Sequence, residues 1–265
     1  MKISDEIVRE AGLLFESQAP KPGELFRKFK RELGLINVQL CVVDAALCEY
    51  GERVTTSAAL AKSVQYNGHY RLNPSQLNMD RALDLGYLSM VALLLSRMDQ
   101  LCRVVRNHSV LDQNLRNKQK GDYLRKTVRL VLECRHNANP TNPIDNATLE
   151  SCIGTSQRTI FDKYLDMRNA ELHALEGIIP VHADGTNVLD LRFRNILECS
   201  KALQSIAEKL CHSLSGPPLS LIPDMRIRFG EQLGERRRNA TKCALEQDYL
   251  LDGREVEMVL HDMGW

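Results

Sequence analysis

Between residues 78 and 106 apolar side chains return every three or four positions: Leu83, Tyr87, Met90, Val91, Leu94, Met98, Leu101 and Val105. Such steps follow the 3.6-residue turn of an α-helix, so the stretch carries one long apolar face that other elements must cover. The same period recurs elsewhere. Residues 121–135 form one further helix, and residues 188–214 another, with Leu189, Phe193, Ile196, Leu197, Leu203, Ile206, Ala207 and Leu210 in its stripe. Two shorter helices, at 145–153 and 156–176, flank Gly154; Asp145 or Asn146 caps the first, and Thr155 or Ser156 the second. Upstream, the pattern predicts helices at 3–18, at Glu24 to Leu33, at Asn37 to Tyr50 and at 54–66.

Breakers separate these segments. Residues 68–74, HNANPTNP at 136–143, GIIPVHADGTN at 177–187 and SGPPLSLIP at 215–223 concentrate Gly, Pro and Asn, which favour turns and cannot all continue a helix. Aromatic residues make up only 5% of the chain, so the core is built from Leu, Ile, Val, Ala and Met, a choice that suits helices more than sheets. The expected fold class is all-α: a helical bundle over 76–222, a helical N-terminal extension over 1–75, and a short C-terminal appendage, 223–265. That last segment reads as a polar tail holding Arg236, Arg237 and Arg238 and a brief amphipathic stretch ending at Trp265.

The eight cysteines stand singly, without Cys-x-x-Cys or Cys/His zinc spacing, so no metal site is expected and the thiols read as small core residues of a reducing compartment. No Gly-x-Ser-x-Gly elbow, Walker loop or dinucleotide fingerprint occurs, and no cofactor is expected. Acidic residues sit among the first ten positions, and no apolar run reaches the roughly 18 residues of a membrane span, which points to the cytoplasm. With a net charge of +1, nucleic-acid binding would need local patches such as Arg116, Lys118, Lys120, Arg125, Lys126 and Arg129. Solvated helix faces explain the same letters.

One segment carries chemistry. The helix at 156–176 contains Tyr164-Leu165-Asp166-Met167-Arg168-Asn169-Ala170-Glu171-Leu172-His173. Its apolar stripe is expected on Phe161, Leu165, Leu172 and Leu175, and Arg168 falls inside it. A guanidinium aimed at a helix interface is costly unless acceptors meet it. Asn169 and His173, four apart, share a face. Arg168 and His173, five apart, diverge by about 140° on a regular helix, so only the reach of Arg, a distortion or a second copy brings them together. Arg103 and His108 repeat the spacing, but Val104 follows that Arg and its helix is ending.

Arg168-Asn169-Ala170-Glu171-Leu172-His173 resembles the motif of the HEPN superfamily: an Arg followed by a polar residue, then a His after four to six intervening positions. The apolar helix YLSMVALLLSRMDQL resembles the one preceding that motif in HEPN proteins of the abortive-infection, phage-defence type, and the resemblance covers about residues 80–214. It implies a metal-independent endoribonuclease, acting on RNA as a homodimer, in phage defence or in a toxin–antitoxin pair with an antitoxin or regulatory partner. His173 would move the proton, Arg168 would hold the phosphate, and Asn169 would orient the imidazole or bond the phosphate. Leu175 stands where some HEPN toxins carry a modifiable Tyr, so that form of silencing is not expected. Two other readings stay open. Residues 149–165, LESCIGTSQRTIFDKYL, have the outline of a DNA-binding helix-turn-helix, although Glu150 occupies the position where a small residue is preferred. The same core could also serve a non-catalytic helical interaction module.

Overall fold

A computed structural model describes residues 20–53, 79–112, 123–135, 146–174 and 193–265. The helices expected at 3–18 and 54–66, and the turn-rich stretches at 68–74, 136–143 and 177–187, lie outside the described residues.

The architecture is all-helical. Among the described residues there are nine α-helices and one 3₁₀ turn, and no strand: α1 (Pro22–Arg53), α2 (Met79–Arg106), α3 (Tyr123–Arg135), α4 (Asn146–Ile153), α5 (Thr155–Ala174), α6 (Phe193–Ser215), the 3₁₀ turn (Pro218–Leu221), α7 (Ile222–Phe229), α8 (Gly234–Asp248) and α9 (Gly253–Met263). No helix among the described residues is long and apolar enough to cross a membrane.

Helix α1 replaces two expected helices. The sequence suggested a gap around Gly34, but the chain stays helical from Pro22 to Arg53. Leu33, Ile36 and Leu40 are buried on both sides of that glycine, and nothing stands near its Cβ position. A mid-helix glycine costs only about 1 kcal/mol, which burial of three large side chains outweighs.

The chain divides into two compact units, each drawn from distant segments. The first comprises Met1–Lys30, Met98–Thr155 and Ser205–Trp265; the second, Arg31–Arg97 and Ser156–Gln204. In the second unit the buried side chains include Leu33, Ile36 and Leu40 of α1, Val91, Leu94 and Leu95 of α2, Phe161, Tyr164 and Met167 of α5, and Ile196, Cys199 and Leu203 of α6. Tyr87 donates to Asp44 Oδ1 at 2.6 Å, and Arg97 lies 3.7 Å from Glu32, so α1 and α2 are also joined by polar contacts.

In the first unit, the segment expected to be a polar tail folds into three helices. Leu221, Met225, Leu245, Tyr249, Val256, Val259, Leu260 and Met263 form a buried cluster, with Phe229 and Trp265 packed against it. The polar composition of α8 hides this, because only Thr241, Ala244 and Leu245 of that helix are buried. Helix α9 carries its own start and stop signals. Asp252 Oδ1 accepts from the backbone N–H groups of Arg254 and Glu255 at 2.8 and 2.9 Å, while Glu255 Oε2 accepts from the Asp252 N–H at 2.9 Å. This reciprocal capping box satisfies N–H groups that the helix cannot bond itself. At the other end Gly264 takes φ 71°, the left-handed conformation that lets the chain close back on the last carbonyls. The arginine cluster is partly structural: Arg238 bonds the Trp265 carbonyl and Glu257, and Arg237 lies over the Trp265 ring at 4.4 Å.

The start of α1 joins the same unit at close quarters. A Cβ on Gly23 would stand 1.8 Å from the Gln247 carbonyl oxygen, so only glycine permits this approach to the end of α8. Arg27 donates to that carbonyl at 2.6 Å, which supplies an acceptor contact to a C-terminal carbonyl of α8.

Candidate functional site

Helix α5 holds the residues singled out from sequence. It begins directly after Gly154, whose φ of 91° ends α4, and its regular backbone runs to Ala174. Its buried face matches the expected one at Phe161 and departs from it at Leu165. Phe161, Tyr164 and Met167 are buried, whereas Leu165 is half-exposed. Leu172 contributes no described side chain, and Leu175 lies outside the described residues. The core stripe is therefore turned one position toward Tyr164, whose burial pushes its phenol well above the usual range.

That rotation sets Arg168 at the flank of the core. Its side chain is half-buried, and both Nε and Nη2 face Asn169 Oδ1, at 3.4 and 3.2 Å. These are long, shared contacts from one guanidinium to one amide oxygen, and they draw the cation toward the Asn169 side of the helix. Along unbroken α5, Asn169 and position 173 stand one turn apart on a common face. Arg168 and Asn169 are thus brought together; the side chain of His173 lies outside the described residues.

Arg158, a candidate base-reading residue under the helix-turn-helix alternative, is only 7% exposed. Its Nε donates to Asp162 Oδ2 at 2.7 Å, and its guanidinium lies over the Phe161 ring at 6.0 Å. A side chain bound in this way is not presented to a groove.

The second Arg-x4-His pair has a structural explanation. His108, just beyond α2 in the first unit, is 7% exposed. Its Nδ1 accepts from the Val110 N–H at 3.3 Å and its Nε2 meets the Pro20 carbonyl at 3.0 Å, an arrangement that suits the neutral ring protonated on Nε2. Burial, chiefly, lowers its pKa; the Pro20 bond opposes this, and the charges of Arg135 and Lys21 add to it. His108 pins the start of α1 and has no ring nitrogen left for chemistry.

The same region holds polar residues that sequence reasoning passed over. Lys21 Nζ donates to the Tyr249 hydroxyl at 2.8 Å and stands 3.5 Å from Asp224, which in turn accepts from that hydroxyl. Arg135 Nε and Nη2 donate to the carbonyls of Leu214 and Ser215 at 3.0 and 2.7 Å, closing the end of α6. No spacing rule connects positions 21, 135, 224 and 249; only Gly216, next to the guanidinium, marks the place in sequence. No family model, curated protein or solved structure matches the chain.

Proposed function

We propose that this chain is a metal-independent endoribonuclease of the HEPN type, with Arg168, Asn169 and His173 as its cutting centre. The observation that carries the reading is the pair of contacts from the Arg168 guanidinium to Asn169 Oδ1. A regular helix separates Arg168 from position 173 by about 140°, and the turn of the guanidinium toward Asn169 narrows that separation. Half-burial also suits an Arg that must meet an anion in a partly dry cleft, where a charge-assisted bidentate bond to phosphate is strongest.

The chemistry needs three tasks. The ribose 2′-hydroxyl attacks the adjacent phosphorus, the bond to the 5′-oxygen breaks, and the products are a cyclic phosphate and a 5′-hydroxyl. His173 takes the proton from the attacking hydroxyl, and the His173 of a second copy gives one to the leaving oxygen. Arg168 holds the phosphate and offsets charge as it develops, while Asn169 orients the imidazole or bonds the phosphate. The protein would act as a homodimer in the cytoplasm, in phage defence or as a toxin with an antitoxin or regulatory partner. The burial of Arg158 against Asp162 gives no support to the alternative of a DNA-reading helix at 149–165.

The test is cleavage of single-stranded RNA by the full-length protein in EDTA. His173→Ala should lower the rate by about a hundredfold or more while leaving the helical circular-dichroism signal unchanged. A folded wild type that leaves every RNA intact, with and without divalent ions, overturns the reading. So does a His173→Ala variant that cuts at the wild-type rate.

A further inference from the structure

A cavity of about 400 Å³ opens in the first unit, where the start of α1 meets the ends of α3, α6 and α8. Lys21, His108, Arg135, Asp224 and Tyr249 supply its polar lining, and Val110, Leu214 and Leu221 supply apolar wall. The volume lies within the range of small-molecule sites.

The charges in this lining do not balance. Asp224 is the carboxylate among the lining residues, and it is already shared by Lys21 at 3.5 Å, Arg228 at 3.8 Å and the Tyr249 hydroxyl. Arg135 has no carboxylate within ion-pair distance among the described residues. Two of its five N–H groups serve the Leu214 and Ser215 carbonyls, and the other three have no partner among the described residues. Lys21 likewise directs contacts to Tyr249 and Asp224 and keeps a third N–H. A half-buried guanidinium without a counter-ion carries a desolvation cost that a bound anion would offset.

The site is also built to hold that guanidinium. Gly216 has φ +77°, and a Cβ there would stand 2.7 Å from Arg135 Nη2 and 2.9 Å from its Cζ and Nε. Glycine therefore lets the flat face of Arg135 rest against the backbone, fixed by two carbonyls, with its remaining donors uncommitted. His108, held neutral beside both cations, adds no charge of its own.

We propose that this cavity binds a small molecule through an oxyanion group, carboxylate or phosphate, held between Arg135 and Lys21. The apolar wall of Val110, Leu214 and Leu221 would cover the body of the ligand. Because the site joins the start of α1 to the C-terminal helices, occupancy would tie these segments together and raise stability by mass action. The inference does not rest on the nuclease reading, since none of these residues belongs to α5.

Isothermal titration and thermal shift on the full-length protein test it, with inorganic phosphate, citrate and adenosine monophosphate as probes and adenosine as the neutral control. An anionic probe should bind at millimolar concentration or below, and adenosine should not. Lys21→Met and Arg135→Met should each weaken binding about tenfold, whereas Asp224→Asn should tighten it by removing the competing carboxylate. Opposite signs from neighbouring substitutions separate a charge effect from a folding defect, and Lys21→Met keeps the test open if Arg135→Met destabilises α6. Absence of binding by all three anions overturns the proposal; so does equal binding of adenosine and adenosine monophosphate, or unchanged affinity in both Met variants.

Discussion

Gly216→Ala tests whether the end of α6 is held together by a backbone conformation and a guanidinium acting as one device. At φ +77° an alanine is strained by about 1–2 kcal/mol. Its Cβ would also overlap Arg135, which must leave its seat and give up the bonds to Leu214 and Ser215. Each bond contributes about 1 kcal/mol for a half-exposed cation. The expected loss is about 3–4 kcal/mol, or roughly 6–16 °C in Tm for a chain of this size. Arg135→Met alone should cost about 2 kcal/mol. In that background Gly216→Ala should cost only its backbone strain, so the double-mutant cycle should show a coupling of about 2 kcal/mol, read from urea and thermal unfolding by circular dichroism. Strict additivity, or a Gly216→Ala protein as stable as wild type, would refute the reasoning.

His108 gives a pH dependence with a definite sign. Its native pKa lies below the ordinary value of 6.5, so the unfolded chain binds the proton more readily. The stabilisation is complete above that ordinary value and is lost as pH falls through it toward the native pKa; Tm followed from pH 8 to pH 5, both about, should fall in wild type and fall less steeply in His108→Gln. Cysteine reactivity should follow burial. Burial pushes Cys199 and Cys211 up to about 12, and Cys102 is fully buried, whereas Cys41 and Cys243 are exposed. Brief alkylation of the native protein, read by mass spectrometry, should label Cys41 and Cys243 before the other cysteines with described side chains; early labelling of Cys211 would contradict the packing of α6.

Long periodic stretches were legible because their information is local. The stripe expected over 78–106 corresponds to α2, Met79–Arg106, and the segment expected over 121–135 corresponds to α3, Tyr123–Arg135. Gly154 separates two helices as expected, with its positive φ as the reason. Elsewhere local signals misled. The gap expected between Leu33 and Asn37 is closed by burial on either side of Gly34, and the charges of α8 hid a helix that needs only three buried residues. The capping box at Asp252 and Glu255 and the terminal Gly264 were present as sequence signals for α9. In α5 the stripe was placed on Leu165, yet Tyr164 and Met167 are buried; two apolar faces nearly overlap there, and packing chose between them.

The amino-acid sequence determined the helical class, the helices α2 and α3, and the placement of Arg168, Asn169 and position 173 along one helix, because each follows from periodicity within a few turns of chain. Tertiary structure alone decided which flank of α5 is buried, that the last 40 or so residues fold around a core of their own, and that positions 21, 108, 135, 224 and 249 line one cavity. Those outcomes depend on contacts between residues as far apart as Lys21 and Tyr249. Side-chain period records which face of a helix is apolar; it carries nothing about which distant helix end will meet it.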